Sequence, residues 1–210
     1  MGEAKRRRAA EAAREPLVRA ADQVGHALRR LALASSDKLG ADCYLHAALG
    51  RELLADLGFN ARIAVGEVAW RVGAGGGDVI SHTPREQAYA PAGLSVEQMA
   101  AAYHAWLVVD GDIVDFTTYQ LERKARALDA ADGAHTTVTW RPELLVLPAD
   151  RVMGYRQVAQ AHKPGVAFYQ EHPELLELAA SLNRIGPEDL MAARLLLVNP
   201  DMQVVGPNDI

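Results

Sequence analysis

Residues 40–59 read GADCYLHAALGRELLADLGF, and the rest of the chain is interpreted outward from them. Gly40 ends what precedes it, and Asp42 is a good helix cap. Leu45, Ala48-Leu49, Leu53 and Leu57 then recur at three- and four-residue spacing until Gly58 breaks the pattern. The spacing predicts a helix whose first turn carries Cys43, the single cysteine of the chain. A thiol there lies near unsatisfied amide N–H groups and the positive end of the helix dipole, which favours the nucleophilic thiolate. The plainer alternative is a small hydrophobe packed in the core.

The second decisive stretch is 103–119, YHAWLVVDGDIVDFTTY. Asp110-Gly111 between two apolar runs is a strong two-residue hairpin signal. With those residues as the turn, Val109 faces Asp112, Trp106 faces Asp115 and His104 faces Thr117. Alternation then puts His104, Trp106, Asp115 and Thr117 on one face, with Asp115 diagonal to His104. Leu107, Val109, Val114 and Phe116 form the opposite, core face. Val108 and Ile113 also fall on the histidine side, so the sheet is expected to be covered on both faces.

Elsewhere the pattern is mainly helical at the ends and extended in the middle. Residues 5–14 are basic and alanine-rich and are expected to form a helical arm, frayed or solvent-facing. Pro16 is expected to open a helix to about Ala34 through Leu17, Ala21, Val24, Ala27-Leu28 and Leu31. Residues 60–72, NARIAVGEVAWRV, alternate as a strand in which Gly66 marks a bulge or a close backbone approach. GAGGGD at 73–78 lacks the lysine–threonine ending of a phosphate loop and reads as a surface turn. Short strands are expected at 79–82, 136–140, 144–147 and 152–157, and a helical turn near Ser95. An amphipathic segment spans 120–131, and helices follow at 174–185 and from Pro187 to about Val198. This makes residues 16–199 a single domain, with residues 1–15 as an arm and 200–210 as a short tail.

Composition narrows the function classes. The chain has 210 residues, half of them hydrophobic and 23% charged, which suffices for a substantial core. A net charge of -5 argues against broad nucleic-acid binding. One cysteine excludes an internal disulfide framework. The basic start has no apolar core like that of a secretory signal, Arg6 departs from a myristoylation signal, and no run reaches membrane-span length. A cytoplasmic protein without nucleic-acid or membrane partners is the expectation.

Thiol catalysis needs an activated sulfur, an imidazole base and a group that orients the imidazole. Cys43, His104 and Asp115 supply those residue types. Here the chain resembles the transglutaminase-like branch of the papain-like cysteine fold, through DCYLHAALGRELLADLGFNARIAVGEV and YHAWLVVDGDIVDFTTY. It is also similar to bacterial transglutaminase-like peptidases that process ribosomally made peptides. The resemblance covers roughly residues 41–119. It implies an α+β fold with a cysteine-bearing helix packed on an antiparallel sheet, extended by extra N- and C-terminal helices. It also implies Cys43 as nucleophile, His104 as base and Asp115 as orienting carboxylate.

The expected activity is cysteine-dependent amide hydrolysis or acyl transfer through a thioester, on a peptide or small amide, without a cofactor. A catalytically silent binding or assembly module of the same fold is the alternative. Possible cleft or oxyanion residues are Gln23, His46, Trp70, His82 and Trp106, with His46 expected to be half-exposed on the helix surface. A Cys43–His82–His104 zinc site has suitable ligand types but no short paired-ligand spacing, so no metal is expected.

Overall fold

The computed structural model describes residues 2–35, 42–83 and 103–206. Helix α1 spans Glu3–Ala34 and α2 spans Cys43–Asp56. Strands β1 (Ala61–Arg71), β2 (Val79–His82), β3 (His104–Val109) and β4 (Asp112–Asp115) follow. Then come α3 (Leu121–Asp132), β5 (Leu145–Pro148), α4 (Tyr155–Gln160), β6 (Ala167–Glu171), α5 (Leu176–Leu182) and α6 (Pro187–Val198). The fold is α+β. Its antiparallel sheet runs β2-β1-β3-β4-β5, with β6 also paired to β1.

The hairpin forms in the expected register from the turn back to Leu107 and Val114, but the expected Trp106–Asp115 and His104–Thr117 pairs are not part of the ladder. Val109 pairs with Asp112, Val108 with Ile113 and Leu107 with Val114. Asp110 and Gly111 both adopt positive φ, 50° and 89°, as the twist of a two-residue turn requires. Alternation then sorts the side chains onto two faces. Ala105, Leu107, Val109, Val114 and Phe116 join α1, α2, α5 and α6 in a largely aliphatic core. Trp106 and Ile113 join Ala64, Val68, Trp70, Ile80 and Tyr169 on the other face, closed by Leu121 and Ala125 of α3. Burying each large aliphatic side chain contributes about 2 kcal/mol.

Gly66 is a point of close approach. A Cβ there would lie 2.0 Å from the Gln170 carbonyl oxygen, so only glycine lets β6 pair with β1 at this row. Gly50 does the same for helix on sheet, because its Cβ would meet the Phe116 ring at 2.4 Å.

Several expectations change. Pro16 does not open the first helix but lies inside α1, which starts at Glu3. The arm is tied down far along the chain, with Arg14 paired to Asp112 and Glu11 3.8 Å from Arg151. Residues 152–157 are not a strand: Val152 follows a 3-10 turn and Tyr155 begins α4. Residues 136–140 form no strand either. Thr139 and Trp140 both donate to the Val72 carbonyl, and Thr137 N donates to Asp78, so one edge contact replaces a ladder. The turn expected near Ser95 lies outside the described residues. None of the described helices is long and apolar enough to cross a membrane.

Candidate active site

Cys43 is the first residue of α2, as the local sequence requires. The Asp42 carboxylate accepts from Tyr44 N at 2.7 Å and Leu45 N at 3.2 Å, capping the helix. The helix packs against β3 and brings the half-buried thiol to the start of that strand. Its Sγ donates toward the Tyr103 carbonyl oxygen at 3.9 Å, and the Ala105 N–H faces the sulfur. These two groups bracket His104. The β3–β4 ladder runs from the turn only to Leu107 and Val114, so the sulfur occupies the strand edge beyond the end of that pairing.

His104 and Asp115 are both buried, and Nε2 lies 2.8 Å from Asp115 Oδ2. Asp115 receives further donors: Thr117 N at 2.8 Å, Thr117 Oγ1 at 2.9 Å and Tyr169 OH at 2.9 Å. Burial opposes ionisation of Asp115. The interaction with His104, the nearby Lys124 charge and the Thr117 amide outweigh it and hold the carboxyl well below the usual range. An ionised carboxylate only accepts hydrogen bonds, so His104 carries its proton on Nε2 and leaves the Nδ1 lone pair free for base chemistry. Nδ1 is also the ring nitrogen closer to the backbone, whose flanking Tyr103 carbonyl and Ala105 amide meet the sulfur. Burial lowers the His104 pKa, so the imidazole is neutral at rest.

The thiol differs from expectation. Burial pushes it up to about 12, with Lys124 pulling down and Asp42 pushing up. The cap that builds the helix start places a carboxylate beside the sulfur, and desolvation overrides the benefit of the helix terminus. At rest the pair is neutral thiol and neutral imidazole.

The remaining predicted residues separate into two groups. Trp70, His82 and Trp106 surround the imidazole. Trp70 meets it edge-on at 4.9 Å between ring centroids, His82 lies at 5.9 Å and Trp106 at 6.3 Å, the latter two nearly parallel. Trp70 Nε1 donates to Tyr169 OH at 3.0 Å, so that N–H serves the carboxylate network rather than an oxyanion. Burial lowers His82 to about 2, and its buried Nε2 has no hydrogen-bond partner among the described residues.

His46 is not half-exposed but 1% exposed, with Nδ1 2.8 Å from the Asp42 carbonyl and Nε2 3.1 Å from Tyr119 OH. Gln23 falls away from the site. It lines a cavity of about 600 Å³ with Asp22, His26, Asp56, Leu57 and Arg194, at the far end of α2 from Cys43. With a rise of about 1.5 Å per residue, that helix separates its ends by about 20 Å. Among the described residues no group of three or more His, Cys, Asp or Glu side chains is placed to hold a metal ion.

Sequence reasoning missed Tyr169 and Lys124. Tyr169 pairs with Val68 on β1, and Val68 also pairs with His82, so all three share one row of the sheet. The apolar run 166–169 was the available strand signal, and alternation within it would have oriented Tyr169. Lys124 sits on α3 with Nζ 3.2 Å from Thr117 Oγ1. No local pattern distinguishes it from neighbouring surface cations.

No protein-family profile and no curated protein matches the sequence. A solved crystal structure described as that of a genomics target is similar in fold, with a TM-score of 0.54 at 16% identity, covering 85% of this chain and 77% of that one.

Proposed function

We propose that the chain is a cysteine-dependent amide hydrolase or acyltransferase of the transglutaminase-like, papain-like type, acting in the cytoplasm on a peptide or small amide. The observation that carries this reading is the buried His104–Asp115 pair, its tautomer fixed by a four-donor carboxylate, with the Cys43 sulfur against the backbone on either side of His104.

In this mechanism His104 Nδ1 takes the Cys43 proton as the sulfur attacks the substrate carbonyl carbon. Because both groups start neutral, proton transfer accompanies attack. Asp115 stabilises the imidazolium that forms. The tetrahedral oxyanion needs donors, and the amide of Cys43 is the first-turn N–H that no described residue engages. Asp42 engages the amides of Tyr44, Leu45 and His46. Collapse expels the amine, which takes the proton from His104, and leaves a thioester. Water or an acceptor amine, deprotonated by His104, then releases the acyl group.

The desolvated thiol favours a second reading, a silent binding module that keeps the fold. Incubation with 4-nitrophenyl acetate separates the two. The enzyme reading expects rapid acetylation of Cys43, seen by peptide mass spectrometry, followed by turnover, with acetylation and deacylation both slowed in His104→Ala. Acetylation no faster than that of a free thiol in unfolded protein identifies the silent module.

A further inference from the structure

The aromatic face holds charge and donors that the acyl-transfer steps do not use. Lys124 Nζ donates to Thr117 Oγ1 at 3.2 Å and stands 4.9 Å above the Trp70 ring centroid. Neither of these partners is an anion, and an ammonium has three hydrogens to place. Thr117 leads to Asp115 through Oγ1, and Trp70 leads to His104 by edge contact, so Lys124 stands directly behind both members of the dyad. Its charge reaches Cys43 as well, where it opposes the burial that holds the thiol protonated.

His82 adds a second, independent observation. Its ring lies 5.9 Å from His104 at an interplanar angle of 25°; His82 pairs with Val68 of β1 and His104 with Gly66, two residues along the same strand. The buried Nε2 is left without a hydrogen-bond partner among the described residues. Buried polar atoms are nearly always paired, so an unpaired one beside a reactive centre marks a place for a ligand atom. In the tautomer with its proton on Nε2, the His82 imidazole has a donor to spare, and with an ammonium holding donors in reserve it suits an anionic oxygen pair.

We propose that Lys124 and His82 form a carboxylate subsite beside Cys43 and His104, making the preferred substrate an amide or peptide with an acidic group next to the scissile carbonyl. The proposal rests on the acyl-transfer reading and adds its specificity. Lys124 supplies the charge and His82 a directional donor. Lys124 is also a counter-charge for Asp115, a structural role that would act alike on charged and neutral reagents.

Competing alkylation distinguishes the two roles. Cys43 is labelled with iodoacetate and with iodoacetamide, each forming a C–S bond and releasing iodide, and the two rates are expressed as a ratio. Relative to glutathione, the native protein is expected to favour iodoacetate by about tenfold, the scale of one partly screened charge at close range. Lys124→Gln abolishes the preference, Lys124→Arg retains most of it, and His82→Phe reduces it about threefold.

A ratio equal to that of glutathione, or one unchanged in a folded Lys124→Gln protein, overturns the subsite. Native protein supplies the second readout: N-acetylaspartate should protect Cys43 from iodoacetamide at a concentration about fivefold lower than N-acetylasparagine. Equal protection also overturns the subsite. Failure of the acyl-transfer reading appears separately, as absolute rates that ignore His104→Ala whatever the ratio.

Discussion

The two faces of the sheet use alternate residues of the same strands and have opposite character. Toward α1 and α2, β3 and β4 present Ala105, Leu107, Val109 and Val114, which pack without hydrogen-bonding side chains. On the other side the same strands and their neighbours present Trp70, His82, His104, Trp106, Asp115 and Tyr169, joined by ring contacts and a short hydrogen-bond network. One face supplies cohesion. The other fixes an imidazole, at the cost of burying polar groups, one of which, His82 Nε2, has no hydrogen-bond partner among the described residues. The thiol comes from the cohesive side and reaches the sheet edge where strand pairing stops.

Substitutions on each face should separate these roles. Asp115→Ala has the largest expected effect, because it strands four donors and removes the anion that orients His104. A loss of about 3–5 kcal/mol is expected in denaturant unfolding, with loss of Cys43 acylation. Leu107→Ala, on the aliphatic face, should cost about 3 kcal/mol through its cavity and leave the pH profile of Cys43 labelling unchanged. A changed profile there would mean that the faces are not independent.

Acid should act mainly through the polar groups. Burial lowers His46 from 6.5 to about 4, so the folded state keeps it neutral while the unfolded chain protonates first. Its contribution is therefore present above about pH 6.5 and is lost as pH falls toward about 4, amounting to about 3 kcal/mol. Asp115 is depressed, so its contribution persists to lower pH and is lost only below its unfolded value of 3.8. Chemical denaturation across this range should show stability falling in two stages; His82 and His104, also lowered by burial, share the upper stage, so His46→Gln should reduce it by about 3 kcal/mol rather than remove it. The smallest of these effects is expected for Tyr169→Phe. It removes one donor to Asp115 and the acceptor of Trp70 Nε1, costs about 1–2 kcal/mol, and slows acylation less than Asp115→Ala does.

What could be read from the sequence was what local chemistry decides. Asp42 caps α2 because its carboxylate reaches amides two and three residues away, and Asp110-Gly111 sets the register of every residue back to Leu107. Gly66 announced a close approach that proved to be with the Gln170 carbonyl. Distant partners decide the rest. Pro16 carries a helix-start signal, yet α1 continues N-terminally and is fastened to a hairpin residue 98 positions away. Tyr169 and Lys124 reach the dyad from elements whose packing no short pattern encodes. The thiol's resting state departs from the helix-terminus expectation for a similar reason: the dipole argument is local, whereas desolvation depends on everything that folds around the sulfur.

The central claim is that the His104–Asp115 pair serves the Cys43 sulfur. The rate of Cys43 alkylation by iodoacetamide, followed from about pH 5 to about pH 10, tests it most directly. Native protein should react through a base whose inflection lies well below the thiol's own titration, and His104→Ala should lose that inflection while staying folded. Two superimposable curves, both rising as a buried thiol ionises, would contradict the account.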